Sequence, residues 1–228
     1  MRKSKQIMET SFIYERFDGL AGIGIELVYG GENHSPKLWK ILARQIWTEN
    51  APEGAYRVIE HTEAGAPLQV SDLDSLCAQR ISVSHTASVF AVASRETAGS
   101  TEEFQESAML GVDLEAASRQ QALKVRERYL SPEELALIPA DDLTANVLAW
   151  TCKEALLKAG MDPKVDIREA LRIERLPLPI APGKSAGAAD LGKGSVTADG
   201  RNYPLTLVTY RLRLATLRTP EYLLTLAY

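Results

Sequence analysis

Apolar positions along the chain either alternate or recur every three to four residues, and the switches between the two periods mark out strands and helices. From Phe12 to Tyr29 they are interleaved with glycine, as in GLAGIGIELVYG, which predicts a strand closed by the Gly30/Gly31 turn. In PKLWKILARQIW, Leu38, Ile41, Leu42 and Ile46 follow helical spacing behind Pro36, whose missing N–H costs least in a first helical turn. This predicts an amphipathic helix. AYRVIEHTEAGAPLQV reads as two extended pieces around an EAG turn, SDLDSLCAQ as a polar linker, and ISVSHTASVFAVAS, rich in β-branched residues, as strand. Residues 95–108, RETAGSTEEFQESA, have no clear period and read as a surface connection or a short polar helix.

A second series begins with MLGVDLE, a strand. RQQALKVRERYL is expected to be helical, SPEEL to open a helix with a capping box between Ser131 and Glu134, and LTANVLAWTCKEALLKAG to form a strong helix stopped by Gly160 and Pro163. The C-terminal third alternates strands and turns, with a hairpin around TADGRNYPLTLVTY followed by EYLLTLAY. GIGIE (22–26) and GVDLE (111–115) echo each other loosely, which suits two related halves. The division expected is 1–108 and 109–228.

With 228 residues, 45% of them hydrophobic, the chain can bury a sizeable core in one large domain or two small ones. The formal charge of −4, from 26 Lys+Arg against 30 Asp+Glu, argues against a general polyanion binder, so any phosphate binding must be local and no nucleic-acid partner is expected. Cys77 and Cys152 provide neither a disulfide framework nor a CxxC zinc pattern, and a reduced, cytoplasmic setting fits them. MRKSKQIMETSFIYERF lacks the apolar core of a secretory signal, and no stretch reaches the roughly 18 apolar residues of a membrane span.

Three places could carry chemistry. Asp113 and Glu115 of GVDLE lie two apart in a strand, so both project from one face with Cα atoms about 6 to 7 Å apart. Two acids on one face invite a cation, although acids also mark the solvent side of many strands. The small Gly111 would let a neighbouring backbone approach. On the KEA helix, Lys153, Glu154 and Lys158 form a second cluster, with Glu154 and Lys158 one turn apart. Such a pair often only stabilises a helix, by about 0.3 to 0.5 kcal/mol, yet a phosphate-transfer site needs both an acid and a lysine. Third, ISVSHT ends a strand on Ser84 and His85, which can donate to anionic oxygen.

Three motif likenesses lead nowhere. Gly183, Ser185 and Gly187 fit GxSxG, but the flanking PLPIAPG and AADLGKG are loop sequences and no histidine follows Ser185. The same GKS is no Walker A loop, because Leu178 stands where its first glycine should be, and Gly22/Gly24 are no dinucleotide loop, because GxGxxG would need glycine at Leu27.

In order and wording, SVSHTASVFAVA, GVDLE, RYLSPEE and WTCKEALLKA resemble the 4'-phosphopantetheinyl transferase superfamily, in its longer, monomeric type. GVDLE followed some 35 to 40 residues later by WxxKEAxxKA is the specific part; after Pro177 the likeness is little more than strand pattern. The resemblance implies a pseudo-symmetric α+β fold of two αβ halves, with coenzyme A in the cleft between them and Mg²⁺, or Mn²⁺ in its place, on the pyrophosphate. It implies Asp113, Glu115 and Glu154 as metal ligands, Glu154 as general base and Lys158 as a phosphate contact. It also implies Ser84 and His85 as phosphate-holding residues of the coenzyme A site. The reaction implied is attack by a serine hydroxyl of an apo acyl or peptidyl carrier protein on the β-phosphate of coenzyme A, releasing 3',5'-ADP. A non-catalytic member that only binds coenzyme A or a carrier is the alternative; retention of the three acids and Lys158 argues against it.

Family members often carry a basic residue before a GKP turn, where HTEAGAP here sets His61 and Ala66. Neutral histidine is a weaker anion anchor than arginine, so either Arg44 of LARQIW, which matches a family arginine, carries more of the contact than His61, or affinity for coenzyme A falls. The carrier should be acidic, and Arg119, Lys124, Arg126 and Arg128 of SRQQALKVRER are the surface expected to meet it. Trp150 is expected to pack in the core.

Overall fold

The computed structural model describes residues 3–6, 12–31, 34–50, 58–60, 69–71, 79–96, 109–160, 166–198, 200–214, 217 and 221–228. In chain order its elements are β1 (Lys3–Gln6), β2 (Phe12–Asp18), β3 (Ile23–Gly30), α1 (Pro36–Glu49), β4 (Val58–Glu60), β5 (Gln69–Ser71), β6 (Gln79–His85) and β7 (Val89–Glu96). They continue with β8 (Gly111–Ala116), α2 (Gln121–Lys124), α3 (Arg126–Tyr129), α4 (Pro132–Leu137), α5 (Leu143–Gly160), α6 (Ile167–Ala170), β9 (Leu171–Arg175), β10 (Gly192–Ala198), β11 (Arg201–Arg213) and β12 (Glu221–Ala227).

The strands form two antiparallel sheets, ordered β1-β2-β3-β7-β6-β5-β4 and β8-β12-β11-β10-β9. Setting β1 and β2 aside, the two orders are the same: a first strand leads into a helix, and the last strand of the unit returns to pair beside it. The fold is α+β with two αβ halves, and the echo between GIGIE and GVDLE falls at the first strand of each.

Side chains alternating along each strand divide the interior into three layers. Ile23, Ile25, Leu27 and Tyr29 of β3 face Val112 and Leu114 of β8, together with Tyr210, Leu224 and Leu226, in a core between the sheets. Val28, Phe90 and Val92 face outward against Trp39, Ala43, Ile46 and Trp47 of α1. Helix α5 covers the outer face of the second sheet through Val147, Ala155, Leu156 and Ala159, against Leu207 and Leu223. No helix among the described residues is long and apolar enough to cross a membrane.

Three sequence expectations change. Residues 12–29 form a hairpin instead of one strand: a 3-10 turn at Leu20–Gly22 reverses the chain, with Ala21 and Gly22 at φ 56° and 71°. The apolar Leu20 and Ala21 hide that turn in the pattern. Helix α1 buries Trp39, Ala43, Ile46 and Trp47, leaving Leu38 and Ile41 exposed. The indoles bring the larger apolar area, and they find polar partners inside, Trp39 Nε1 donating to Gly30 O at 2.7 Å and Trp47 Nε1 to Glu26. Finally, 119–130 is not one helix but two single turns broken at Val125 (φ −114°, ψ 10°). The capping box of Ser131 and Glu134 and the span of α5 match their expectations. His61, Ala66, Cys77, Pro163 and 97–108 of the 95–108 connection lie outside the described residues.

Gly111 sets how closely α5 approaches β8. A Cβ there would sit 1.9 Å from the Ala155 carbonyl oxygen and 2.7 Å from the Ala159 nitrogen, both backbone atoms that no rotamer change can move. Gly111→Ala should therefore cost about 3 kcal/mol, the upper range for overpacking, and lift α5 off the strand. Urea denaturation measures the first effect; a change below about 1 kcal/mol would mean that the helix yields freely.

Candidate active site

Among the described residues β8 is the edge strand of its sheet, paired only with β12, so its other edge presents backbone groups that need partners. Strand β6, from the first half, lies alongside and supplies hydroxyls: Val112 N donates to Ser82 Oγ at 2.9 Å and Leu114 N to Ser84 Oγ at 3.1 Å. The two-residue spacing of SVSH matches the two-residue spacing of the outward N–H groups. Lys158 Nζ on α5 satisfies the Val112 carbonyl at 2.9 Å. The seam between the halves thus passes through GVDLE.

At the seam sits Asp113. Its Oδ1 accepts from Ser84 Oγ at 2.9 Å and from Lys158 Nζ at 2.8 Å. Its Oδ2 is buried and has no hydrogen-bond partner among the described residues. A buried carboxylate oxygen left bare costs about 1–3 kcal/mol or more, so its presence demands an explanation, and a cation is the chemically obvious one.

Glu115, on the same face of β8, forms an ion pair with Arg119, whose guanidinium lies 5.7 Å from the centroid of the Trp150 ring. Trp150 in turn meets Tyr129 edge-on at 4.9 Å, so it packs as expected while also flooring the arginine. Burial pushes the Glu115 carboxyl above its ordinary pKa, against the hydrogen bond from Arg119. Glu154 is raised too, by burial first and then by the negative charge of Asp113, with Lys158 opposing and Glu115 adding to the shift. The three acids therefore feel one another's charge. Among the described residues, no three His, Cys, Asp or Glu side chains converge as a preformed cage; Asp113 and Glu115 instead direct oxygens to Ser84, Lys158 and Arg119.

Beyond them, His85 at the end of β6 lines a pocket of about 540 Å³ with Pro36, Lys37, Lys40, Thr86 and Ala87. Burial first, then Lys40 and Lys158, hold its imidazole below the ordinary histidine pKa, while Asp113 opposes them. Its neutral ring offers one N–H donor and one acceptor. Lys37, Lys40 and Arg44 fall at positions three and four apart along exposed α1, so they share one stripe. Lys37 and Lys40 were not singled out from sequence, although that spacing could have found them. His61 cannot be placed, lying outside the described residues.

Several other candidates separate. Lys153 points away from Glu154 and is 1% exposed, paired with Glu134 at 2.8 Å; it belongs to the interior. Arg126 is likewise structural, donating to Asn146 Oδ1 at 3.1 Å and to the carbonyls of Leu135 and Ile138, while Arg119 points into the acid cleft. Of the four cations expected on a carrier-facing surface, Lys124 and Arg128 are exposed without such commitments. Ser185 lies in an irregular loop and not on a nucleophile elbow. Burial raises the pKa of the free Cys152 thiol well above its ordinary value, so it is no nucleophile.

A bare Asp113 oxygen, with the Glu154 and Glu115 carboxyls within electrostatic reach, is the hard oxygen chemistry that Mg²⁺ selects. Residues 109–189, spanning β8 through α5 and on to the loop after β9, match the family model described as the 4'-phosphopantetheinyl transferase superfamily. No curated protein matches the chain.

Proposed function

We propose that this chain, whose residues 109–189 match the 4'-phosphopantetheinyl transferase superfamily model, moves the phosphopantetheine arm of coenzyme A onto a serine hydroxyl of an apo acyl or peptidyl carrier protein. The halves 1–108 and 109–228 would form the two walls of its cleft. The observation that carries this reading is the buried, bare Oδ2 of Asp113, in a cleft where Glu115, Glu154 and Lys158 are all within electrostatic reach. Asp113 and Glu154, with Glu115 when it leaves Arg119, would hold Mg²⁺ or Mn²⁺. Bound there, the cation supplies charge neutralisation to the pyrophosphate and to the oxygens that gain charge during transfer.

The residues of the chain supply the rest. Glu154, its carboxyl already raised above the usual pKa, takes the proton from the incoming serine hydroxyl. The serine oxygen then forms a bond to the β-phosphorus, and the bond from that phosphorus to the bridging oxygen breaks, releasing 3',5'-ADP. Lys158 gives two of its donors to Val112 O and Asp113 Oδ1, leaving the third for a phosphate oxygen of the departing nucleotide. Lys37, Lys40 and Arg44 form the cationic wall for the remaining phosphates of coenzyme A, the neutral His85 adds an N–H donor, and His61 is proposed to join them. The Ser84 hydroxyl has one proton and donates it to Asp113, so direct donation to phosphate would require it to release that carboxylate. Lys124 and Arg128 remain for the acidic carrier.

Intact-mass spectrometry of apo carrier proteins incubated with the chain, coenzyme A and Mg²⁺ tests the proposal. A gain of one phosphopantetheine unit supports it; binding of coenzyme A with no gain on any carrier would identify a binding protein instead. Glu154→Gln keeps the shape and removes the base, and should reduce kcat by about 10²-fold or more while coenzyme A binding persists. Comparable kcat values would remove Glu154 from that role.

A further inference from the structure

Ser82 and Ser84 do the same structural job one pleat apart, each accepting a backbone N–H from the open edge of β8. They differ in a single respect. The Ser84 hydroxyl also donates to Asp113 Oδ1 at 2.9 Å, the oxygen that Lys158 holds at 2.8 Å. Asp113 is only 5% exposed, so its carboxylate can turn only among these partners. With both donors on Oδ1, the carboxylate plane is fixed and Oδ2 is left bare.

We infer that Ser84 is a positioning residue which, by anchoring Asp113 Oδ1 from the opposite half of the molecule, presents Oδ2 to the divalent cation. This rests on the function proposed above and deepens it: a strand of the N-terminal half sets the metal affinity of an acid in the C-terminal half. Partners in the outer shell of a metal site typically change affinity by about 10- to 100-fold when removed, because an unanchored ligand must be ordered at binding. Ser84 supplies such an anchor, and Ser82, with the same backbone contact and no bond to Asp113, does not.

The test compares Ser84→Ala with Ser82→Ala. Mn²⁺ binding to the full chain, read by the loss of free Mn²⁺ signal in electron paramagnetic resonance with coenzyme A present, should weaken about tenfold or more in Ser84→Ala and stay near wild type in Ser82→Ala, although both lose one edge hydrogen bond. Ser84→Thr, which keeps the hydroxyl, should restore wild-type affinity. If Ser84→Ala does not fold, Ser84→Cys retains the size with a weak donor and should show the same loss. Equal Mn²⁺ affinities in the Ser82 and Ser84 variants, or wild-type affinity in Ser84→Cys, would overturn the inference. A wild-type chain that binds Mn²⁺ in this Ser84-dependent way but modifies no carrier would overturn the transfer reaction and leave the inference standing; a chain that binds no Mn²⁺ would overturn both.

Discussion

Replacing Asp113 with Asn should reduce Mg²⁺-dependent transfer by more than about 10³-fold and yet leave the metal-free protein at least as resistant to heat as the wild type. The loss follows from the bare Oδ2, the oxygen offered to the cation. Charge stabilisation by a metal at a phosphoryl group is worth several kcal/mol, and about 4 kcal/mol corresponds to 10³-fold in rate. The stability follows from the same geometry with the opposite sign. The Asp113 charge raises the carboxyl pKa of both Glu154 and Glu115, which means that the ionised acids oppose one another in the folded chain. An amide of the same shape removes that repulsion and still accepts from Ser84 and Lys158 through its oxygen, while Lys158, 29% exposed, keeps access to water when the opposite charge is gone. Thermal denaturation without metal, beside the transfer assay, reads both halves of this expectation. An active variant would remove Asp113 from the metal site, and a large drop in melting temperature would show that the carboxylate is there for the fold.

The opposite behaviour is expected of the pair on the other side of α5. Lys153 lies 2.8 Å from Glu134, with the two side chains 1% and 5% exposed. The lysine also donates to the carbonyls of Ile167 and Leu171. Glu134 accepts from Ser131 N at 2.8 Å, which closes the capping box, and from Ile173 N at 2.7 Å on β9. One ion pair thus ties α4, α5 and the edge strand together. Removing either member strands the other in the interior, so Lys153→Met and Glu134→Gln should each destabilise by about 3–5 kcal/mol. The double replacement Lys153→Met with Glu134→Gln should cost clearly less than the sum of the two, because no charge is then left unpaired. Urea denaturation of the three variants decides it: additive losses would mean that the two charges do not interact. Activity per folded molecule should stay near wild type, since neither side chain faces the cleft.

Part of the candidate site could be read from the chain alone. Asp113, Glu115, Glu154 and Lys158 were legible because strand period puts the first two on one face and helix period puts the last two one turn apart. The need for Gly111 was legible too, since α5 packs on the backbone where a side chain would stand. Lys153 reads in sequence as part of the same cluster, but the 100° step between adjacent helical residues sends it and Glu154 in different directions, and burial decides which one meets Glu134. Arg119 and Arg126 both look like surface cations in SRQQALKVRER. The turn after β8 sets Arg119 against Glu115, and the separate turn that follows the break at Val125 carries Arg126 to the carbonyls that end α4.

By itself, then, the order of apolar and polar residues determined strand β8 and the long helix α5 of the second half, the candidate acids they carry and the likeness between the two halves, because those are local periodicities and local periodicity is written residue by residue. The tertiary structure decided what no local pattern contains: that the serines of SVSH take the place of a missing strand beside β8, that Lys158 and Ser84 share one oxygen of Asp113, and that its other oxygen stays bare. Those contacts join residues 29 to 45 positions apart, and they exist only once both sheets have packed their apolar faces together and brought the edge of one half against a strand of the other.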